Sequence, residues 1–108
     1  MIRLLSALLV LAAFATSARA ETVNVEYRGP VDLTPFDCTD VSLSSFIKRV
    51  CYDTPHHYMV IALRNQWYHY CRIDNDTVQA LLNADSMGRY YNETIRGNFD
   101  CRQGGVPE

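Results

Sequence analysis

Six residues combine side-chain chemistry with a spacing that could use it. Tyr68 and Tyr70 lie two apart in the run Trp67-Tyr-His-Tyr-Cys71, so on an extended strand their rings face the same way. Two such rings can stack nucleobases on an open sheet, or fill a core with their hydroxyls at its edge. Ser86 and Gly88 open a short helical pattern. There, backbone N–H groups could hold an anion, or Ser86 could cap the helix while Gly88 lets another helix come close. Asn92 and Arg96 are four apart, on one face of the same helix, and could join Ser86 in a polar cluster suited to a small anion or an acidic terminus. In each case the structural role is the simpler one: core for the tyrosines, capping for Ser86.

No catalytic arrangement accompanies these residues. The chain has no G-x-S-x-G, H-E-x-x-H or Cys–His pattern. His56 and His57 are adjacent in a turn and so point apart, and neither they nor His69 have a carboxylate at a ligand-like spacing. The expectation is a protein without metal, cofactor or enzymatic activity.

The elements that must position these residues can be read from the hydrophobic period. Phe46 to Tyr52 is β-rich and ends at Asp53-Thr54-Pro55. Tyr58 to Leu63 carries Met59, Ile61 and Leu63 on one face, and Arg64-Asn65-Gln66 turns it into Trp67 to Ile73. Trp67, His69 and Cys71 then lie opposite Tyr68 and Tyr70. After Asp74-Asn75-Asp76 the spacing of Val78, Leu81 and Leu82 is helical. A second short helix runs to Arg96, with Tyr91 and Ile95 as its apolar pair and Gly97 as its stop. The predicted fold is α+β, a three-stranded antiparallel meander followed by two short helices packed on one sheet face (βββαα). Val60, Ala62, Trp67 and Cys71 leave the second face partly apolar, to be covered by the preceding segment or by a partner.

The chain of 108 residues divides accordingly. Residues 1–20 read as a secretory signal, with Arg3 ahead of the apolar stretch Leu4 to Ala15 and Ala18-Arg19-Ala20 as the cleavage site, Ala20/Glu21. Twelve residues of helix span only about 18 Å, too short for a bilayer core of ~30 Å. Residues 21–43 read as an extended lead-in, with a short strand at Thr22 to Tyr27 broken at Gly29-Pro30. Residues 44–102 form the domain, and 103–108, with Gly104-Gly105 and Pro107, a frayed tail. Removing Arg3 and Arg19 from ten basic residues leaves eight against twelve acidic ones, a net charge of −4. That balance argues against a phosphate backbone as partner.

Four cysteines, Cys38, Cys51, Cys71 and Cys101, fit two disulfides in a small exported domain, and no C-x-x-C supports zinc or redox chemistry. Of three possible pairings, the matching Phe-Asp-Cys contexts of Cys38 and Cys101 and the strand positions of the other two favour Cys38–Cys101 with Cys51–Cys71.

The segments Ser45-Phe-Ile-Lys-Arg-Val-Cys-Tyr-Asp53, Tyr68-His-Tyr70 and Ala84-Asp-Ser-Met-Gly-Arg-Tyr-Tyr-Asn92 with Ile95-Arg96 together resemble the KTSC domain, over about Ser44 to Cys101. This small bacterial module stands alone or ends some lysyl-tRNA synthetases. The resemblance implies a domain of unsettled function, with RNA binding suggested by the synthetase context. The signal, the acidic charge and the cysteines depart from the intracellular pattern. The expectation is therefore a periplasmic or secreted binding module for a protein or small acidic ligand, with RNA binding as the alternative.

Overall fold

The computed structural model describes residues 21–108; the expected signal, residues 1–20, lies outside the described residues. The three expected strands pair antiparallel, but as the middle of a six-stranded α+β sheet rather than as a whole three-stranded one. β4 (Ile47–Asp53), β5 (Tyr58–Leu63) and β6 (Gln66–Cys71) pair antiparallel, with Ile61 opposite both Val50 and Tyr68. Arg64 makes the tight β5–β6 turn in a left-handed conformation, φ 59°. Left-handed Arg72 then ends β6 two residues before the expected limit at Ile73.

The sheet is twice as wide as the sequence suggested. The lead-in supplies β1 (Thr22–Val25), β2 (Gly29–Asp32) and β3 (Asp37–Asp40), giving six strands in the order β2-β1-β6-β5-β4-β3. β3 lies antiparallel on β4, and β1 joins β6 in parallel through one pair, Val25 with Trp67. β1 falls where the alternation at Thr22 to Tyr27 suggested a strand, whereas β2 and β3 are only four residues long and show no alternation. The sheet curls, so Arg49 on β4 reaches across two strands to the Glu21 carboxylate, with 2.8 Å to each oxygen. This ion pair raises the Arg49 pKa.

Side-chain parity sorts the interior into two cores. Beneath the helices lie Val50, Met59 and Ile61, packed on Val78, Leu81, Tyr91 and Ile95. Tyr68 and Tyr70 border that core, as their parity predicts. Inside the curl, Val25, Val31 and Leu33 of the lead-in cover Val60, Tyr58 and Cys71, so the second face is closed by the chain itself. Each fully buried aliphatic, such as Ile61 or Leu81, stabilises the fold by roughly 1.5–3 kcal/mol.

Both helices start at the expected caps. Asp74 accepts from the Thr77 N–H at 3.1 Å and opens α1 (Asn75–Leu82); Ser86 accepts from the Arg89 N–H at 3.2 Å and opens α2 (Met87–Tyr90). α2 does not continue as an α-helix to Arg96. It widens into a π turn over Tyr91–Ile95, closed by Arg96 N–H to Tyr91 C=O, and Gly97 stops it at φ 83°. The π turn places both Tyr91 and Ile95 in the core.

The disulfides are Cys38–Cys51 and Cys71–Cys101, not the pairing inferred from sequence context. Strand order explains the correction. Cys38 lies directly opposite Cys51 on the neighbouring strand, whereas β5 separates Cys51 from Cys71. Two inter-strand spacings are about 9.5 Å, beyond the ~7 Å Cα limit for a bridge. Cys71 instead meets Cys101 on the segment that returns past β6, where the Cys71 N–H donates to the Phe99 carbonyl at 2.8 Å. The tail is also tied down: Arg72 donates to the Gly104 carbonyl at 2.5 Å and Arg28 to the Pro107 carbonyl at 2.9 Å.

Candidate functional site

The polar cluster expected around Ser86 does not form. The Ser86 hydroxyl is used by its cap, and no hydrogen bond or ion pair joins it to Asn92 or Arg96 among the described residues. The π turn puts Arg96 outside the helix with extended backbone, ψ 129°, so it no longer shares a face with Asn92. Gly88 allows close approach, but of the Phe46 ring rather than a helix: a Cβ there would lie 2.7 Å from Cε1.

The tyrosines divide between core and cleft. Tyr70 hydrogen-bonds the Tyr91 hydroxyl and packs edge-on to its ring. Burial, then that bond, drives its phenol pKa far above the ordinary value. Tyr68 and Tyr70 nevertheless line a cleft of about 500 Å³ that runs along the outer edge of β6. Its floor is Tyr68-His69-Tyr70. One wall is Glu26 and Tyr27 of the β1–β2 turn; the other is formed by Asn98, Asp100 and Arg102.

Backbone pairing makes this edge unusual. The Glu26 N–H donates to the Trp67 carbonyl at 2.9 Å, and the Cys71 N–H reaches the Phe99 carbonyl, so alternate residues of β6 direct their main-chain groups away from β5. His69 has the same parity, midway between Trp67 and Cys71. Its N–H and C=O therefore point away from β5, beyond the single β1–β6 pair at Val25 and Trp67, and neither bonds to a turn, loop or side chain among the described residues. β1 cannot supply a partner, because after Val25 the chain turns back, Arg28 N–H bonding to the Val25 carbonyl. Left-handed Tyr27, φ 69°, makes that turn. Its ring is 92% exposed at the rim of the cleft. A bulky residue in this conformation carries a backbone cost.

The His69 ring is held on the opposite face. Arg28 Nη1 donates to the Tyr58 hydroxyl at 2.8 Å, and Tyr58 Oη lies 2.8 Å from His69 Nδ1. Arg28 can only donate, and the buried Tyr58 hydroxyl meets no other acceptor among the described residues. Beside neutral His69 its proton is therefore satisfied by pointing at Nδ1, with the imidazole proton on Nε2. Burial, then the Arg28 charge, lowers the His69 pKa, with Asp100 opposing. Asp100 in turn is held below the carboxylate range by two Arg102 bonds, at 2.8 and 2.6 Å. The other histidines lie elsewhere. His56 pairs with buried Asp53 at 2.8 Å, and left-handed His57 closes the turn before β5.

None of Tyr27, Glu26, Asn98 and Arg102 stood out in the sequence as a site residue. Their only local signal is an aromatic in the Glu-Tyr-Arg-Gly turn. Their convergence on β6 depends on long-range pairing.

The KTSC domain model matches residues 43–99, or 57 of 108 residues. The crystal structure of a KTSC domain protein from Yersinia pestis is 30% identical. It covers 60% of this chain and 92% of its own, at a TM-score of 0.57. No match was found among curated proteins.

Proposed function

The chain belongs to the KTSC domain family, and on that premise we propose that it is an exported, non-enzymatic binding module whose ligand site is the β6-edge cleft. The observation that carries this reading is Tyr27. A ring 92% exposed and held in a left-handed turn at the mouth of a 500 Å³ cleft contributes nothing to the core. Aromatic side chains presented in this way are typical anchors of binding surfaces. Two disulfides suit an oxidising compartment, and the signal-like residues 1–20 provide a route there.

The polar groups around the cleft suit recognition better than reaction. The Asp100 carboxylate is neutralised by Arg102, and the His69 ring is tied to Tyr58. The cleft lining holds no serine, threonine or free cysteine to act as a nucleophile. RNA is disfavoured, because the wall residues Glu26 and Asp100 are acidic and Arg102 is already paired.

The test is site-specific photocrosslinking in cells expressing the full chain. A photoreactive phenylalanine at position 27 should yield discrete adducts, whereas one at Leu43, 96% exposed on the β3–β4 loop, should not. Identical patterns at both positions would sink the cleft as a binding site. Filter binding of a random RNA oligonucleotide at about 50 mM salt checks the competing chemistry, and retention would overturn the non-nucleic-acid reading.

A further inference from the structure

We infer that the cleft recognises an extended polypeptide segment by main-chain pairing, with one residue of that segment hydrogen-bonding the N–H and C=O of His69 as a short added strand. This rests on the cleft being the ligand site and specifies what occupies it. The strand on either side of His69 is satisfied, Trp67 by Glu26 and Cys71 by Phe99. Between those points lie four residue steps, about 13 Å of strand. The vacancy has the width of one short extended segment and the donor and acceptor of one residue. Small anions would engage the N–H but leave the carbonyl unpaired, whereas a peptide unit satisfies both.

The remaining edges of the sheet are guarded, and this one is not. β2 carries Pro30 and Asp32, and β3 carries Asp37 and Asp40; proline and charge are the usual devices that stop a strand edge from pairing with another chain. The open stretch of β6 is Tyr68-His69-Tyr70, aromatic and free of carboxylate or proline. Its walls limit the invader to a few residues, which turns an aggregation hazard into a bounded slot. The alternating faces of an added strand would place one side chain toward exposed Tyr27, giving the aromatic contact a partner.

The experiment pans a phage-displayed library of random linear heptapeptides against the full chain with its disulfides intact. The strongest binder is then synthesised, with a set of singly N-methylated versions. Strand addition predicts that methylation at one position weakens binding by about tenfold or more while its neighbours tolerate it. It also predicts that the His69 amide exchanges with solvent at least about tenfold more slowly in the complex. If Tyr27→Ala weakens binding but no N-methyl position matters and the His69 amide is unchanged, main-chain pairing is refuted and the cleft stands as a side-chain site. If no peptide is selected, or every selected peptide ignores Tyr27→Ala and leaves the His69 amide unmoved, both the pairing and the cleft as a peptide site fall.

Discussion

Replacing the cysteines by alanine in pairs tests the disulfide pattern energetically. The two bridges close separate stretches of chain, with a sequence separation of 13 from Cys38 to Cys51 and of 30 from Cys71 to Cys101. Neither loop contains or crosses the other, so each constrains the unfolded chain independently and their effects should add. Loop-closure entropy assigns about 3 kcal/mol to the shorter loop and about 3.6 to the longer one. Each pair includes one fully buried cysteine, Cys51 or Cys71, so the packing loss on truncation is similar in both variants. Their difference of about 0.7 kcal/mol thus reflects loop length. The measurement is urea unfolding of the parent, Cys38→Ala/Cys51→Ala, Cys71→Ala/Cys101→Ala and the fourfold variant. With a slope near ~1 kcal/mol per M for a domain of this size, each pair should lower the midpoint by about 3 M. The fourfold variant should be largely unfolded, since about 6–7 kcal/mol approaches the whole stability of a small domain. A cooperative transition in the fourfold variant with less than about 4 kcal/mol lost would refute the independent-loop argument. Peptide mapping without reduction that linked Cys38 to Cys101 would refute the pairing itself.

Three further outcomes follow from the packing and the titrating groups. Gly88→Ala should lose about 1 kcal/mol: crowding against Phe46 at 2.7 Å costs about 1–3, and helix propensity returns at most ~1. Phe46→Leu should make the same glycine change less costly, as a double-mutant cycle by urea unfolding would read. His69, its pKa lowered by burial and Arg28, folds best when neutral. Its contribution is therefore complete above the unfolded value near ~6.5 and is lost as pH falls toward the folded one. Imidazole NMR should find it below ~6.5, and a pKa above that would contradict the burial argument. Tyr70, its phenol held protonated by burial and the Tyr91 bond, should contribute no absorbance change at 295 nm below about pH 11. Tyr70→Phe would then leave the titration amplitude in that range unchanged.

What could be read in advance was local. The meander, the facing of Tyr68 and Tyr70 and the caps at Asp74 and Ser86 depend on a period of two, a two-residue turn or a side chain three positions from its amide. The N-terminal strands escaped because Gly29–Asp32 and Asp37–Asp40 carry hardly any alternation and become strands only by pairing with partners elsewhere. The disulfides escaped for the same reason, since nothing near Cys38 states that β3 will lie on β4. Widening of the helix at Tyr91 separated Asn92 from Arg96, and a 3.6-residue period could not foresee one extra residue in a turn. The cleft was the least legible feature. It is a gap in a ladder, visible only when both neighbours of His69 are known to be paired.

The two walls of that gap have a separate consequence. Glu26 and Tyr27 precede the stretch shared with the family, residues 43–99, and Arg102 follows it. The floor thus lies within the stretch matched by the family, while Glu26, Tyr27 and Arg102 lie outside it, and Cys71–Cys101 fastens to β6 the segment that carries Arg102. Substitution at Glu26, Tyr27 or Arg102 touches neither Ile61, Leu81 and Ile95 beneath the helices nor Val25 and Val31 inside the curl. Selection can therefore retune what the slot admits without renegotiating the fold, and the staples let such experiments survive.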